Sequence, residues 1–86
     1  MQKEETITME RPEIIEKVKE VCDYTFCRIP QDIENTTFHD FELDALDTVE
    51  FSMNLEDKFG ITFSIPEWEE INSFRDVINF IESVKK

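Results

Sequence analysis

Residues 44–60, DALDTVEFSMNLEDKFG, leave little freedom in how they can fold. Asp44 is a favourable helix N-cap, Asp47 stands where the reciprocal acid of a capping box belongs, and Gly60 lies where a helix commonly ends in a left-handed residue. The stretch between is predicted to form a helix of about four turns. At helical periodicity its apolar residues separate into two stripes instead of one. Phe51, Leu55 and Phe59 form the first, with the small Thr48 and Ser52 beside them, and this face is expected to be buried. Leu46, Val49 and Met53 form the second on roughly the opposite side, with Glu50 and Asp57 along one edge and Glu56 along the other. A helix in so small a domain can hardly bury both faces, so the second stripe reads as a docking surface with an acidic rim. Packing of Leu46 and Val49 beneath the long preceding segment is the open alternative.

The remaining chain supplies partners for one buried face. Pro12 suits the first turn of a helix, and Ile14, Ile15, Val18, Val21, Cys22 and Phe26 recur at helical spacing, predicting a first helix over 12–25 that Arg28-Ile29-Pro30 ends. Residues 31–43 have no sustained period and read as a long loop pinned by Ile33, Phe38, Phe41 and Leu43. After Gly60, the extended Ile61-Thr62-Phe63 leads to a short helix in which Ser64 and Glu67 have capping-box spacing, Pro66 fits the first turn, and Trp68 and Ile71 face inward. Asn72-Ser73 closes it. Ser73 and Asp76 have the spacing of another box, and Phe74, Val77, Ile78, Ile81 and Val84 give the last helix a continuous apolar face, with Lys85 and Lys86 complementing its C-terminal dipole. The expectation is an all-α protein, a small antiparallel four-helix bundle with a long first loop and a short third helix. Its core is expected to be lined by Ile14, Val18, Val21, Phe51, Leu55, Phe59, Ile71, Phe74, Val77, Ile78 and Ile81. Residues 1–10 are polar and aperiodic and read as a flexible N-terminal tail, leaving 11–86 as the one domain that 86 residues can support.

Charge narrows the function more than length does. Hydrophobic content of 40% with eight Phe argues for a folded domain despite 35% charged residues. The net charge is −12, and residues 31–70 hold twelve acids against a single base, Lys58. That surface repels nucleic acid and anionic membranes and favours basic protein patches. General solubility would also account for the acids, but their position beside the second stripe suits brief, electrostatically guided encounters. No stretch is long and apolar enough for a membrane span, and the N-terminus lacks the apolar core of a signal peptide, so a cytoplasmic location is expected, with a monomer as the default state. Cys22 and Cys27 match no zinc or redox spacing and read as free thiols, with a disulfide as the lesser alternative; His39 stands alone, and no metal site is expected. The acids lack EF-hand spacing, and no nucleophile, base pair or metal cluster marks an enzyme.

The run DALDTVEFSMNLEDKFGI resembles the second helix of acyl carrier proteins, whose pattern begins D-S-L-D and ends in an acid-rich turn and Phe. The resemblance continues without a gap through Ile71-Asn72-Ser73-Phe74 and, more loosely, back to Pro12. It implies a non-catalytic carrier of thioester-linked acyl intermediates in fatty-acid or polyketide-type biosynthesis, working with a phosphopantetheinyl transferase and acyl-processing enzymes that bear basic docking patches. It further implies partner contacts at Asp44, Leu46, Asp47, Val49, Glu50, Met53, Glu56 and Asp57, and an acyl-chain entrance near Val49, Met53 and Trp68. Ala45, between Asp44 and Leu46, stands where the family carries the serine esterified with 4′-phosphopantetheine, and alanine offers no hydroxyl for that bond. Two explanations compete: an engineered serine-to-alanine change in a true carrier, or a natural carrier-like interaction module that has lost the prosthetic group. The first is preferred because the surroundings the loading chemistry needs are intact. The loop also lacks the glycine that commonly precedes the D-S-L motif, which leaves the path near Phe41 and Leu43 open.

Overall fold

The computed structural model describes residues 9–85. Four α-helices follow in order: α1 Arg11–Phe26, α2 Ala45–Phe59, α3 Ile65–Glu69 and α4 Phe74–Val84. The architecture is the expected all-α bundle. The local signals act where the sequence places them: Pro12 lies in the first turn of α1, and Ser64 and Glu67 cap α3 reciprocally. α2 ends at Gly60 in the left-handed region (φ 66°), where the Gly60 and Ile61 amides both donate to the Glu56 carbonyl at 2.8 and 3.2 Å. α1 runs one residue further at each end than expected; at its C-terminal end Cys27 adopts φ 58° and donates its N–H to the Asp23 carbonyl, closing the helix before Arg28-Ile29-Pro30.

Three details depart from expectation. At α4 the Ser73 hydroxyl oxygen accepts from the Asp76 amide at 3.1 Å, but the Asp76 carboxylate accepts from the Asn72 amide at 2.9 Å, one residue before the cap, so the box is not reciprocal. The long loop is more ordered than its aperiodic sequence implied. It contains a 3₁₀ turn, Ile33–Asn35, and an isolated antiparallel bridge between Thr37 and Ser73, with the Phe38 amide donating to the Asn72 carbonyl (3.0 Å) and the Phe74 amide to the Thr36 carbonyl (3.3 Å). Finally, residues 1–8 of the expected tail and Lys86 lie outside the described residues, whereas Met9 packs against the core and Lys85 is the C-cap residue of α4.

All eleven expected core residues are buried, joined by Cys22, Ile33 and Phe38. Phe51 of α2 and Phe74 of α4 are fully enclosed, their ring centroids 5.6 Å apart, and Phe38 from the loop meets both, at 6.0 and 5.2 Å, in edge-on geometry. Phe26 and Phe41 extend the cluster on one side, and Trp68, Phe63 and Phe80 on the other. Edge-to-face pairs of this kind add about 0.5–1.5 kcal/mol each beyond the area they bury. Arg11 ties the start of α1 to the rest of the domain: its guanidinium donates to Glu34 at 2.6 Å, Glu82 at 3.0 Å and Asn79 at 2.9 Å. The hydrogen bond it donates to Glu34 is the main reason its pKa is raised.

Both cysteines are free thiols, Cys22 buried and Cys27 exposed. Burial pushes the Cys22 thiol up to about 12 from its ordinary 9.0, so the native state keeps a proton that the unfolded chain releases, and stability falls as pH rises through that window.

The missing glycine has a structural consequence at Glu42, which adopts φ 62° just before α2. A side chain there costs about 1–2 kcal/mol, offset in part by the greater freedom glycine gives the unfolded chain. Glu42→Gly is therefore expected to stabilise the protein by about 0.5–1 kcal/mol, seen as a higher urea midpoint with an unchanged slope. An unchanged or lower midpoint would contradict the strain.

Candidate functional site

The outward face of α2 begins at a fully formed capping box. The Asp47 amide donates to Asp44 Oδ1 at 2.9 Å and the Asp44 amide to Asp47 Oδ2 at 3.1 Å. Ala45 is the first residue of the helix and is exposed. From this end the second stripe runs along the surface, with Leu46 80%, Met53 60% and Val49 50% exposed. The opposite stripe, Phe51, Leu55 and Phe59, is buried. The loop does not cover Leu46 and Val49, because Phe38 and Phe41 turn their rings into the core instead.

The acids around this stripe are not equivalent. Glu50 and Asp57 are exposed on one edge. On the other edge Glu56 is half-buried, and its carboxylate accepts the Phe63 amide at 2.9 Å, holding the chain that leaves α2. Asp44 and Asp47 serve the helix terminus first. Trp68 stacks toward Phe63 and Phe38, with ring centroids at 4.9 and 6.0 Å, so its ring belongs to the aromatic cluster while Val49 and Met53 face outward. Four exposed apolar side chains escaped the sequence reading: Tyr24 on α1, Ile29 just after it, Ile65 on α3, and Val84, expected on the apolar face of α4 but left in solvent at the last turn, beyond the buried Ile81. Tyr24 lies off the Ile14, Val18, Val21 and Cys22 stripe, and that offset was the available signal.

A four-helix domain that buries one face of a capped acidic helix and displays the other is a presenting domain: it offers a surface and holds no reactive group there. The chain matches the family described as the phosphopantetheine attachment site over residues 13–81. It is 32% identical to an acyl carrier protein of Coprothermobacter proteolyticus over 77 residues, covering 87% of this chain and 94% of the relative. Acyl carrier proteins of Campylobacter hominis and Lactobacillus acidophilus are each 36% identical, over 76 and 78 residues, covering 86% and 87% of this chain and 96% of each relative. The chain belongs to the acyl carrier protein family, whose members are non-catalytic carriers.

The prosthetic group of that family is 4′-phosphopantetheine, and the residues present do not fit its covalent attachment. At the start of α2 the exposed side chain is the Ala45 methyl. The nearest hydroxyl along the helix, on Thr48, is a turn further in and donates to the Ala45 carbonyl at 2.9 Å. The Asp44 carboxylate already occupies the amide that would favour an anion.

Replacing Asp44 with alanine removes one half of the box and leaves the Asp47 amide unpaired. The expected cost is about 1 kcal/mol, with amide exchange rising in the first turn of α2 and not at its Gly60 end. Equal loosening at both ends would contradict a local capping role.

Proposed function

We propose that this chain is the carrier component of acyl-thioester metabolism of the fatty-acid or polyketide type, acting in the cytoplasm as a monomer. Leu46, Val49 and Met53 fill the apolar centre of its partner contact, and Glu50 and Asp57 steer basic patches on the transferase and on acyl-processing enzymes. Asp44, Asp47 and Glu56 contribute negative potential from positions where each also holds backbone. The observation that carries this reading is the division of α2 into one buried face and one apolar face left in solvent beside exposed carboxylates. The carrier domain is placed at 11–86, with Met9 of the preceding segment packed against its core.

Ala45 is best accounted for as an engineered replacement of the attachment serine, because the cap, the apolar stripe and the acids around it form a complete loading surface. In the family the arm attached there supplies a thiol that holds acyl groups as thioesters, and this chain as it stands cannot receive the arm by esterification. One observation favours a second reading, a natural interaction module without an arm: the α2 terminus is already satisfied by its own carboxylates.

The test is intact mass of the Ala45→Ser variant after incubation with coenzyme A, magnesium and a broad-specificity phosphopantetheinyl transferase, with the Ala45 chain as the blank. The expected result is a gain of one phosphopantetheine arm in the serine form alone. Adding Glu50→Lys should slow that gain by about tenfold at low salt, with the difference shrinking as salt rises. No gain with an active transferase would overturn the carrier reading in favour of the interaction module.

A further inference from the structure

We propose that the cleft between α1 and α2 is an arginine-selective extension of the docking surface, with Tyr24 as its platform and Asp57 as its counter-ion. The partner it fits is a protein that places an arginine side chain beside the α2 stripe; in that respect the proposal rests on the docking role assigned to α2.

The cleft is open, about 450 Å³, and lined by Glu20, Val21, Tyr24, Asn54, Asp57 and Lys58. Its walls are held by two contacts. The Asn54 side-chain amide donates to Thr25 Oγ1 at 2.8 Å, and Lys58 Nζ reaches Glu20 Oε1 at 2.6 Å. The second contact also commits Lys58, the one cation among the described residues lining the cleft, to a carboxylate of its own. Among the described residues no ion pair or side-chain hydrogen bond engages Asp57, which leaves a carboxylate on the wall without a counter-charge.

Tyr24 completes the chemistry. Its side chain is 79% exposed at the end of a helix whose other large apolar residues pack inward, so the fold gains little from it. An aromatic face and a carboxylate lining one cleft suit a planar cation, which can lie on a ring and donate in its plane to a carboxylate. An ammonium is compact and strongly hydrated and satisfies the two less well. Position joins the cleft to the stripe, because Asp57 is at once a wall of the cleft and part of the exposed edge beside Val49 and Met53. A partner seated on those side chains would reach Tyr24 by passing Asp57.

The experiment is a nuclear magnetic resonance titration of the chain with N-acetyl-arginine amide and, separately, N-acetyl-lysine amide, two probes of equal charge, at fixed ionic strength. The expected result is saturable shifts of the Tyr24 ring and the Asn54 side-chain amide, with arginine bound about two- to fivefold tighter than lysine. Tyr24→Ala and Asp57→Asn should each abolish the preference, Tyr24→Phe should keep it, and Glu69→Gln, outside the cleft, should leave it intact. Equal response to both probes, shifts spread evenly over the acidic surface, or a preference that survives Tyr24→Ala would overturn the proposal. The readout does not involve position 45. Failed loading of the serine variant with arginine preference intact would therefore count against the carrier reading alone, and loss of the preference with normal loading against the cleft alone.

Discussion

The contact among Phe38, Phe51 and Phe74 joins the three parts of the chain that determine how α2 is presented. Phe51 belongs to α2, Phe74 opens α4, and Phe38 comes from the loop that leads into α2. Burying one such ring is worth about 1.5–3 kcal/mol, and truncating it to alanine typically costs about 3–5 kcal/mol because a cavity remains. For a domain whose total stability is of the order of 5–15 kcal/mol, this single cluster decides whether the loop is held. The backbone bridge from Thr36–Phe38 to Asn72–Phe74 works with it, since it sets the register in which Phe38 meets Phe74. With the loop fixed there, Asp44 arrives where it can cap α2, and the helix can turn only one face inward.

The exposed face of α2 follows from that commitment. Leu46, Val49 and Met53 remain outside because Phe51, Leu55 and Phe59 have filled the inside, and the loop that could have covered them spends its rings on the core. Of the acids nearby, Glu56 holds the Phe63 amide and Asp44 and Asp47 hold each other's, so among the described residues the carboxylates at the stripe that hold no backbone are Glu50 and Asp57. The chain belongs to the acyl carrier protein family, and the first residue of α2 beside this surface is Ala45, whose side chain is a methyl.

Most of the fold was legible in the sequence because its signals are local. Capping residues, a proline in a first turn, one terminal glycine and helical spacing of apolar side chains act within a turn or two, and α2 starts and ends where those signals place it. The bridge between Thr37 and Ser73 was not legible, since two short polar segments 36 residues apart in the chain carry no periodicity that would announce their pairing. Glu42 was half legible: the absent glycine marked the place, but only the backbone angle shows that a glutamate takes the left-handed conformation there. At the site, the exposure of the second stripe could be anticipated from its opposition to the first. The structural duty of Glu56 could not, because its partner is a backbone amide in the following segment.

Native-state hydrogen exchange at the Phe38 amide tests most directly whether the loop is locked to the core. This amide donates to the Asn72 carbonyl at 3.0 Å and lies outside every helix. If the aromatic contact and the bridge fix the loop, it should exchange only through global unfolding, with the same opening free energy as the Leu55 amide in the middle of α2. Rapid exchange at Phe38 while Leu55 stays protected would mean that the loop opens by itself, and the presentation of α2 would then have to be explained without it.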